Sequence, residues 1–536
     1  LGVKLLVMVK ANPELTSVNI NPLNKTISKG VIDDIFRLDY GRTLNLNVLQ
    51  SRMTELKNWY LDKGYSLVSV SGPSEISEDG IVEIKIEEGI VNDIQIEFLS
   101  EEGETTDIKG RKIRGKTRLW VIKRELSIKP GTIFNRRTLE SDIKRLYGTS
   151  LFNDVKVSLK PVPGKPGEVI INLGISEQRT GSLTGGIGYS GGQGLFGQLG
   201  LQETNFLGRS WTTNSNVTYG EYGYLFNISI TDPWIKGDKF RTSFRTNAYI
   251  SREVPQQFRS ETGGNIKTVA DFYEAPNTST AYDIAYGFGG AGPFTSVDSA
   301  KASTATTSWF EYSGDSIVLE KSGGGFSIAR PLNGGDPFKK VPWTVLFGMN
   351  FQKVRPVDYA SNERPYGVST EDYESNSAKN NEIICVAYNC ANENTLVSAR
   401  TGVTFNKLDN QSDPNEGDFV SLSSEQFVSL GPNSPTFNRS RISYSHFIPV
   451  NFLKFHKGCR PKEGEKEDCS QTIGMQLKGG TIVGELPPYE AFCLGGSASI
   501  RGWSSCDLGV SRSYGEASAE YRFPLWRMIS GSFFFD

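Results

Sequence analysis

The chain has no long hydrophobic run. None of its 536 residues lies in a stretch that approaches the roughly 18 uninterrupted apolar residues of a transmembrane helix. The mean hydropathy of -0.35 and the hydrophobic content of 37% are typical of a soluble protein. A membrane β-barrel has a similar average, because its strands alternate apolar and polar residues. Composition therefore excludes a helical membrane protein and leaves two classes open, a soluble protein and a membrane β-barrel.

Histidine and net charge are also low. His446 and His456 are the only histidines, which disfavours a histidine-based metal or catalytic site, and we predict no cofactor. The 58 Lys and Arg residues are balanced by 60 Asp and Glu residues, so overall charge gives no reason to expect nucleic acid as a partner. Nothing in the sequence resembles a nucleotide-binding loop or a catalytic constellation, and we predict a protein that is not an enzyme. The sequence begins without Met and without a signal-peptide pattern, so we expect any signal peptide to have been removed.

Cysteine occurs only in the second half of the chain, as three close pairs. Local pairing is the simplest of the possible connectivities, because each pair encloses a short loop rich in Gly, Asn or Lys. Each disulfide would stabilise the fold by about 2–3 kcal/mol and indicates an oxidising compartment. The alternative is a set of reduced thiols in a cytosolic protein. The predicted disulfides are Cys385–Cys390, Cys459–Cys469 and Cys493–Cys506.

Two helices with matching apolar faces are predicted before residue 178. The first is at Val48–Tyr65 and the second at Arg136–Phe152, and both have apolar residues at helical spacing. The residues of the two faces are Leu49, Met53, Leu56 and Tyr60, then Leu139, Ile143 and Leu146. The matching faces indicate an internal repeat.

Strands accompany each helix and complete the repeat. Ile81–Gly89 and Glu168–Glu177 follow the two helices as predicted strands. We therefore predict two β-α-α-β-β modules, at 13–89 and 90–178. The strand at residues 1–12 is predicted to be the end of an earlier, truncated module.

After Arg179 no helical period remains, and segments of about ten residues alternate between apolar and polar side chains. The clearest apolar faces are Val217 and Tyr219; Tyr224, Phe226, Ile228 and Ile230; Phe244 and Ile250; Met475 and Leu477; Tyr521 and Phe523. Alternation alone does not separate a soluble β-sandwich from a membrane barrel, because both have one apolar face per strand.

Aromatic residues and loop lengths favour the membrane barrel. Aromatic residues at segment ends resemble the girdles that such barrels place at the two membrane interfaces. Long connections at 254–315, 359–395 and 454–470, beside short turns such as Glu221–Gly223, predict one end with long loops and one with short turns. The girdle residues are Trp211, Tyr219, Tyr224, Trp234 and Trp343.

A motif in the segment LGGSASIRGW, Leu494–Trp503, makes the assignment specific. It resembles the Leu-Gly-Gly…Val/Ile-Arg-Gly-aromatic signature of the outer-membrane-protein-85 (BamA-type) superfamily. The resemblance implies that the motif is the tip of a loop folded back into the barrel. The matching residues are Ile500, Arg501, Gly502 and Trp503.

In that family the arginine pairs with acidic residues on late strands of the barrel. Glu520, in ASAEYRFP, and Asp536, in the final FFFD, stand at the matching positions. A guanidinium suits this role because its planar fork binds carboxylates with two hydrogen bonds. The alternative is that Arg501 lies in an exposed Gly–Ser loop without a partner.

The resemblance covers nearly the whole chain. It identifies the two modules as POTRA domains and residues 179–536 as an antiparallel transmembrane β-barrel, most like cyanobacterial members and related to the chloroplast outer-envelope import channel. The family barrel has sixteen strands, whereas we count about thirteen before Asp536. We therefore expect the closing strands to be missing from this sequence.

The implied function is that of an outer-membrane assembly factor that inserts β-barrel proteins. The alternative is a polypeptide-translocating channel, of the two-partner secretion or chloroplast-import type; a passive porin would lack the POTRA repeat and the motif. The expected partners are unfolded outer-membrane or exported polypeptides, periplasmic chaperones, accessory subunits and outer-membrane lipid. The POTRA domains are expected in the periplasm, or the whole protein in the chloroplast outer envelope if it is plastid-borne.

The first barrel strand is rich in glycine. Glycine weakens strand pairing, so this strand could open as a lateral gate for a client strand. Close packing against a neighbouring strand or the inserted loop explains the glycines equally well. The residues are Gly181, Gly185, Gly186 and Gly188.

Overall fold

The structure of the protein is a computed structural model. It describes residues 12–21, 26–73, 77–190, 194–259, 266–272, 310–336, 341–369, 383–452, 470–526 and 529–536. The predicted strand at residues 1–12 lies almost wholly outside the described residues. The chain divides into two compact units, Leu1–Thr180 with Asn205–Ser210, and Gly181–Thr204 with Trp211–Asp536.

The first unit contains two copies of one β-α-α-β-β arrangement. Each copy has a three-stranded sheet with its third strand in the centre. This strand is parallel to the first strand of the copy and antiparallel to the second. The first copy consists of β1 (Ser17–Asn21), α1 (Lys29–Phe36), α2 (Leu46–Asp62), β2 (Ser69–Ser71) and β3 (Ile81–Glu87). The second consists of β4 (Ile90–Leu99), α3 (Leu119–Glu125), α4 (Arg136–Gly148), β5 (Phe152–Pro161) and β6 (Glu168–Glu177). The predicted β-α-α-β-β fold is confirmed.

Corresponding asparagines begin the long helix of each copy. The Asn45 side chain accepts a hydrogen bond from the backbone N–H of Asn47 at 2.9 Å, and that of Asn135 from Arg137 at 3.0 Å. These caps satisfy amides that have no partner within the helix. The apolar face behind each cap is buried, and Leu56 and Leu146 are completely covered.

The two copies meet where α2 ends and α4 begins. Asn135 Nδ2 donates to the carbonyl of Lys63 at 2.9 Å, and Arg137 Nη2 donates to that of Asp62 at 2.6 Å. Gly64, between them in the turn after α2, has a φ of +91°. A Cβ at this position would lie 2.7 Å from Asn135 Oδ1. The junction therefore satisfies the C-terminal carbonyls of α2 and requires glycine.

A thirteen-stranded antiparallel sheet forms most of the second unit. The strands are β7 (Gly181–Ser190), β8 (Gly194–Phe206), β9 (Trp211–Gly220), β10 (Gly223–Asp232), β11 (Ser243–Glu253), β14 (Val318–Pro331), β15 (Trp343–Val357), β18 (Asn394–Asn406), β19 (Gly417–Val428), β20 (Phe437–Val450), β21 (Gln471–Gly484), β24 (Ser513–Trp526) and β25 (Ile529–Phe535). Each strand pairs with the next one in this series, so β7 and β25 are the two end strands of the sheet.

One face of this sheet is apolar and exposed. On β15 the apolar side chains of Trp343, Val345, Phe347, Met349 and Phe351 are each 36–45% exposed. The residues between them, such as Asn350 and Gln352, point to the other side of the sheet. A soluble sandwich would bury the apolar face against a second sheet, whereas a membrane barrel turns it to lipid. We call the apolar side the outer face and the opposite side the inner face.

Long connections do not all share one end of the sheet. Because neighbouring strands are antiparallel, successive connections alternate between the two ends. The turn Glu221–Gly223 therefore lies at the same end of the sheet as the long connection 254–317. The connection 451–470 leaves β20 and enters β21 at the opposite end of the sheet. The predicted separation of long and short connections was wrong for these two segments, since strand order and not loop length decides the end.

Smaller elements lie in the connections between the strands of the main sheet. They are α5 (Gln256–Arg259), a four-stranded sheet of β12 (Ile266–Phe272), β13 (Phe310–Ser316), β16 (Tyr366–Ser369) and β17 (Ile383–Cys385), and the pair β22 (Phe492–Leu494) and β23 (Gly509–Ser511). The connections pack on the inner face of the main sheet in one apolar cluster. Its members include Phe258, Leu396, Phe427, Phe437, Tyr489 and Val510. Within the part of the chain that the structure describes, no helix is long and apolar enough to cross a membrane.

Candidate functional site

The predicted motif lies on the connection between β21 and β24, residues 485–512, which we call the motif loop. Its two arms pair as β22 and β23, and the Cys493–Cys506 disulfide joins them. Beyond the disulfide, Gly496 N–H donates to the carbonyl of Trp503 at 3.1 Å and closes the tip. Gly495 has a φ of +113°, and a Cβ there would lie 2.4 Å from the carbonyl of Ser504. Only glycine fits this turn, which explains the Gly pair at the start of the motif.

Arg501, at the tip, binds Asp536 at the end of β25. Its Nε donates to Oδ2 at 2.7 Å and its Nη2 to Oδ1 at 2.6 Å, so the pair is bidentate. The backbone N–H of Arg501 donates to the same carboxylate at 3.0 Å. The Asp536 side chain is only 3% exposed, so this carboxylate depends on Arg501 for its charge balance.

The remaining contacts of Arg501 come from β24 and β25. Its Nη1 lies 3.2 Å from Glu520 Oε2, and its Nη2 donates to Ser518 Oγ at 3.3 Å. The guanidinium also lies over the ring of Phe534, 3.7 Å from the centroid. Cross-strand register explains the convergence, because Glu520 is opposite Phe534. The structure thus places both predicted carboxylates against Arg501.

The other motif residues do not contact these carboxylates. Ile500 is half-buried and Trp503 is exposed. Gly502 has a φ of +91° with open space around its Cα, so its role is conformational. A neighbouring serine adds a further contact, since Ser499 Oγ donates to Glu516 at 2.7 Å, and Glu516 also pairs with Lys478 at 2.9 Å.

A second charge cluster holds the base of the motif loop. Arg439 of β20 donates to Glu490 of the loop at 2.6 Å and to Glu425 of β19 at 2.7 Å. All three side chains are at most 15% exposed. Next to them, the buried Tyr489 hydroxyl donates to Asn394 Oδ1 at 2.9 Å. The motif loop is therefore attached to the sheet at its tip and at its base.

Sequence reasoning missed the base cluster. Glu425 and Arg439 stand on the polar faces of alternating strands, which is a signal for the inner face but not for a pair. Glu490 lies in a Pro-rich part of the loop without any motif. Their proximity depends on the register that places Glu425 opposite Arg439.

The four predicted gate glycines all lie on β7, an end strand of the sheet. The strand pairs with β8 along its whole length. A Cβ on Gly188 would lie 2.7 Å from the Phe196 ring, so close packing explains this glycine. At Gly181, Gly185 and Gly186 the nearest atoms would lie at 3.4 Å or more, so packing does not require glycine there. Among the described strands, no ladder joins β7 to β25.

Two of the three predicted disulfides lie in the described residues. Cys385 is bonded to Cys390, and Cys493 to Cys506. Cys459 and Cys469 lie outside the described residues, and their pairing stays a prediction. In the described ranges, no three His, Cys, Asp or Glu side chains are grouped so that they could hold a metal ion.

An antiparallel sheet with an exposed apolar face and a re-entrant loop, preceded in the sequence by two β-α-α-β-β modules, is the architecture of an outer-membrane β-barrel protein with POTRA modules. The family model described as Omp85 superfamily domain matches residues 205–536. The model described as POTRA, surface antigen variable number repeat, matches residues 13–89 and 107–178. The chain belongs to the Omp85 superfamily.

Similar proteins span plants and bacteria. The chain is 24% identical to outer envelope protein 80, chloroplastic, of Arabidopsis thaliana over 100% of its own length, but it spans only 60% of that protein. It is 29% identical to outer membrane protein assembly factor BamA of Nitratidesulfovibrio vulgaris over 41% of this chain and 26% of that one. The crystal structure of BamA from Haemophilus ducreyi lacking POTRA domains 1-3 aligns with a TM-score of 0.53 at 15% identity, over 98% of this chain and 86% of that one. The last match shows a shared fold, and the predicted POTRA-and-barrel architecture is confirmed.

Proposed function

We propose that the protein is an outer-membrane assembly factor that inserts β-barrel proteins into the outer membrane. The observation that carries the proposal is the bidentate Arg501–Asp536 pair, which holds the motif loop against the last two strands of the sheet. The relative from Nitratidesulfovibrio vulgaris is named as an outer membrane protein assembly factor. Its similarity covers less than half of this chain, so the function rests on the site together with the family.

The POTRA modules, which we place at 13–89 and 90–178 in the periplasm, supply the client-binding surface in this proposal. In the second module β5 pairs with β6 alone among the described strands, so one of its edges is open. An open edge can accept an extended segment through main-chain hydrogen bonds. The expected partners are unfolded polypeptides, with periplasmic chaperones and accessory subunits that deliver them.

The barrel, which we place at 179–536, supplies the insertion step. The glycine-rich β7 has three glycines that packing does not require, and weak pairing there would let a client strand enter the sheet edge. A client that forms its backbone hydrogen bonds on this edge avoids unsatisfied amides in lipid. The Arg501–Asp536 pair would keep the motif loop inside while this edge opens.

Depletion of the protein in its native cell, followed by quantitative outer-membrane proteomics, tests the proposal. We expect many unrelated β-barrels to fall together while their unfolded precursors accumulate. Re-expression of the wild-type protein should restore the β-barrels, whereas re-expression of R501Q should not. R522Q is the control and should restore them, because Arg522 pairs with the exposed Asp413, away from the motif loop.

A narrow effect would favour the alternative function. If only one or a few exported polypeptides disappear while other barrels stay at normal levels, the protein is a translocating channel and not a general insertase. The motif loop would then regulate passage through the barrel.

A further inference from the structure

The second POTRA module has an exposed segment at residues 105–118 that the proposed function does not use, and we call it the basic segment. It begins with a hairpin whose arms are joined by a bridge between Thr106 and Lys112. At the tip, the Asp107 carboxylate accepts hydrogen bonds from the backbone N–H and from Nε of Arg111, both at 2.9 Å. These hydrogen bonds fix the shape of the tip.

Apolar residues are exposed at both ends of the basic segment. Ile108, in the fixed tip of the hairpin, has a completely exposed side chain. Leu119, directly after the segment, is 49% exposed, and Leu207, in the turn between β8 and β9, is 58% exposed. A fixed turn that presents an isoleucine to solvent contributes no core packing, so we looked for a ligand that would cover it.

The charge of the basic segment is strongly positive. It contains six Lys or Arg residues and one acidic residue, Asp107, which pairs with Arg111 at 2.8 Å. Glu101, Glu102 and Glu104 precede the hairpin in a separate turn. Five basic residues of the segment have no ion pair among the residues that the structure describes. They are Lys109, Lys112, Arg114, Lys116 and Arg118.

The end of the basic segment contacts the turn 205–210, which joins two strands of the transmembrane sheet and belongs to the same compact unit as the POTRA modules. The backbone N–H of Arg118 donates to the carbonyl of Gly208 at 2.9 Å, and its Nε donates to that of Leu207 at 3.2 Å. A Cβ on Gly208 would overlap the carbonyl oxygen of Lys116, so the contact is close. A turn between two membrane-spanning strands lies at the membrane surface, and the basic segment therefore lies beside that surface.

We propose that the basic segment binds the surface of a bilayer that contains anionic lipids. Its basic side chains bind the anionic headgroups, and Ile108 enters the boundary between headgroups and acyl chains. A single apolar side chain among basic residues, next to the membrane surface, fits a lipid surface better than a protein partner, which would require a larger apolar patch. The proposal goes beyond the insertase function, since it requires only that the sheet spans a membrane.

The test compares the full chain in two kinds of nanodisc, one of phosphatidylcholine alone and one of phosphatidylcholine mixed equally with phosphatidylglycerol. Hydrogen exchange is measured at the backbone amides of the basic segment. We expect exchange to be slower by at least about threefold in the discs with phosphatidylglycerol, because only these carry anionic headgroups. The difference should disappear in about 1 M salt, where the Debye length is only about 3 Å. Equal exchange in the two kinds of disc at low salt would overturn the proposal.

A pair of charge variants locates the lipid-dependent protection. The test variant replaces three basic residues of the segment by Gln, and the control variant replaces three exposed lysines elsewhere on the modules. The substitutions are K109Q, K112Q and R114Q in the test variant, and K57Q, K144Q and K160Q in the control. We expect the protection to be lost in the test variant and kept in the control. Equal loss in both variants would show that only the total charge matters, and it would contradict the assignment.

The apolar tip is tested separately. I108N keeps every charge of the basic segment and should weaken the lipid-dependent protection, whereas L38N, which changes a residue 60% exposed on the first module, should not. Unchanged exchange at α2 and α4 would confirm that each variant is folded. Full protection in I108N would refute insertion of the tip.

An acidic protein partner is the alternative ligand for the basic segment. Soluble polyglutamate is added to the full chain in discs of phosphatidylcholine alone, and exchange is measured at the same amides. If polyglutamate slows exchange there and phosphatidylglycerol does not, the segment binds acidic polypeptide and the proposal is wrong.

Discussion

Arg501 of the motif loop pairs with Asp536, although β24 and β25 lie between the two residues in the sequence. Two guanidinium nitrogens and one backbone amide of Arg501 all bind the one carboxylate. The Asp536 side chain is almost fully covered, whereas that of Glu520, the second carboxylate, is 30% exposed. Asp536 is therefore the principal partner, and Glu520 contributes one longer contact of 3.2 Å.

The first prediction concerns the tip of the motif loop. R501K should keep the charge but lose the fork, so it should retain part of the stability that R501Q loses. In a double-mutant cycle, R501Q and D536N should show a coupling energy of about 1–3 kcal/mol in thermal unfolding of the barrel. R522Q with D413N, an exposed pair, should show less than about 1 kcal/mol. Additive effects of R501Q and D536N would refute the contact.

The second prediction concerns the base of the loop. R439Q leaves Glu425 and Glu490 without their shared cation, and we expect the barrel to lose roughly 3–5 kcal/mol of unfolding free energy. Limited proteolysis should then cut within 485–512, whereas R355Q should leave the loop protected. Arg355 is the control because its ion pair is with Glu320 on β14 and not with a residue of the motif loop. Equal protection of the loop in both variants would show that the base cluster does not hold it.

The third prediction concerns the junction of the two POTRA modules. G64A adds a methyl 2.7 Å from Asn135 Oδ1 at a φ of +91°, and should destabilise the first unit by about 1–3 kcal/mol. G131A is the matched control, because Gly131 has a φ of +85° with nothing within 4 Å. Hydrogen exchange should rise at residues 61–66 and 134–138 in G64A alone. A similar rise in G131A would assign the effect to backbone strain and not to the junction.

The fourth prediction concerns the disulfide of the motif loop. Replacing Cys493 and Cys506 together by serine removes a cross-link between residues 13 positions apart and should cost about 3 kcal/mol. The arms β22 and β23 should then become accessible to protease, while the Arg501–Asp536 contact persists. The same change at Cys385 and Cys390 should leave β22 and β23 protected, since that pair lies on another connection, whose hydrogen bond to the motif loop is at the base, from Tyr489 to Asn394. Loss of loop protection in that control variant would contradict a local effect.

Local patterns predicted much of this structure. The apolar faces of α2 and α4 and the alternation on β9, β10 and β11 depend only on helical or two-residue periodicity. The motif identified Arg501, Glu520 and Asp536 as a group, because a family pattern marks residues that are distant in sequence. The same reasoning failed for loop placement and for Glu490, where no local pattern exists.

The sequence by itself determined the two classes of element, the repeat of the modules and the residues of the tip. Tertiary structure alone decided the base cluster. This cluster depends on the register between β18, β19 and β20, and a shift of one residue would turn Glu425 and Arg439 to the outer face. Register arises from pairing along whole strands and from the loops that pack on them, so no single segment of the sequence contains it.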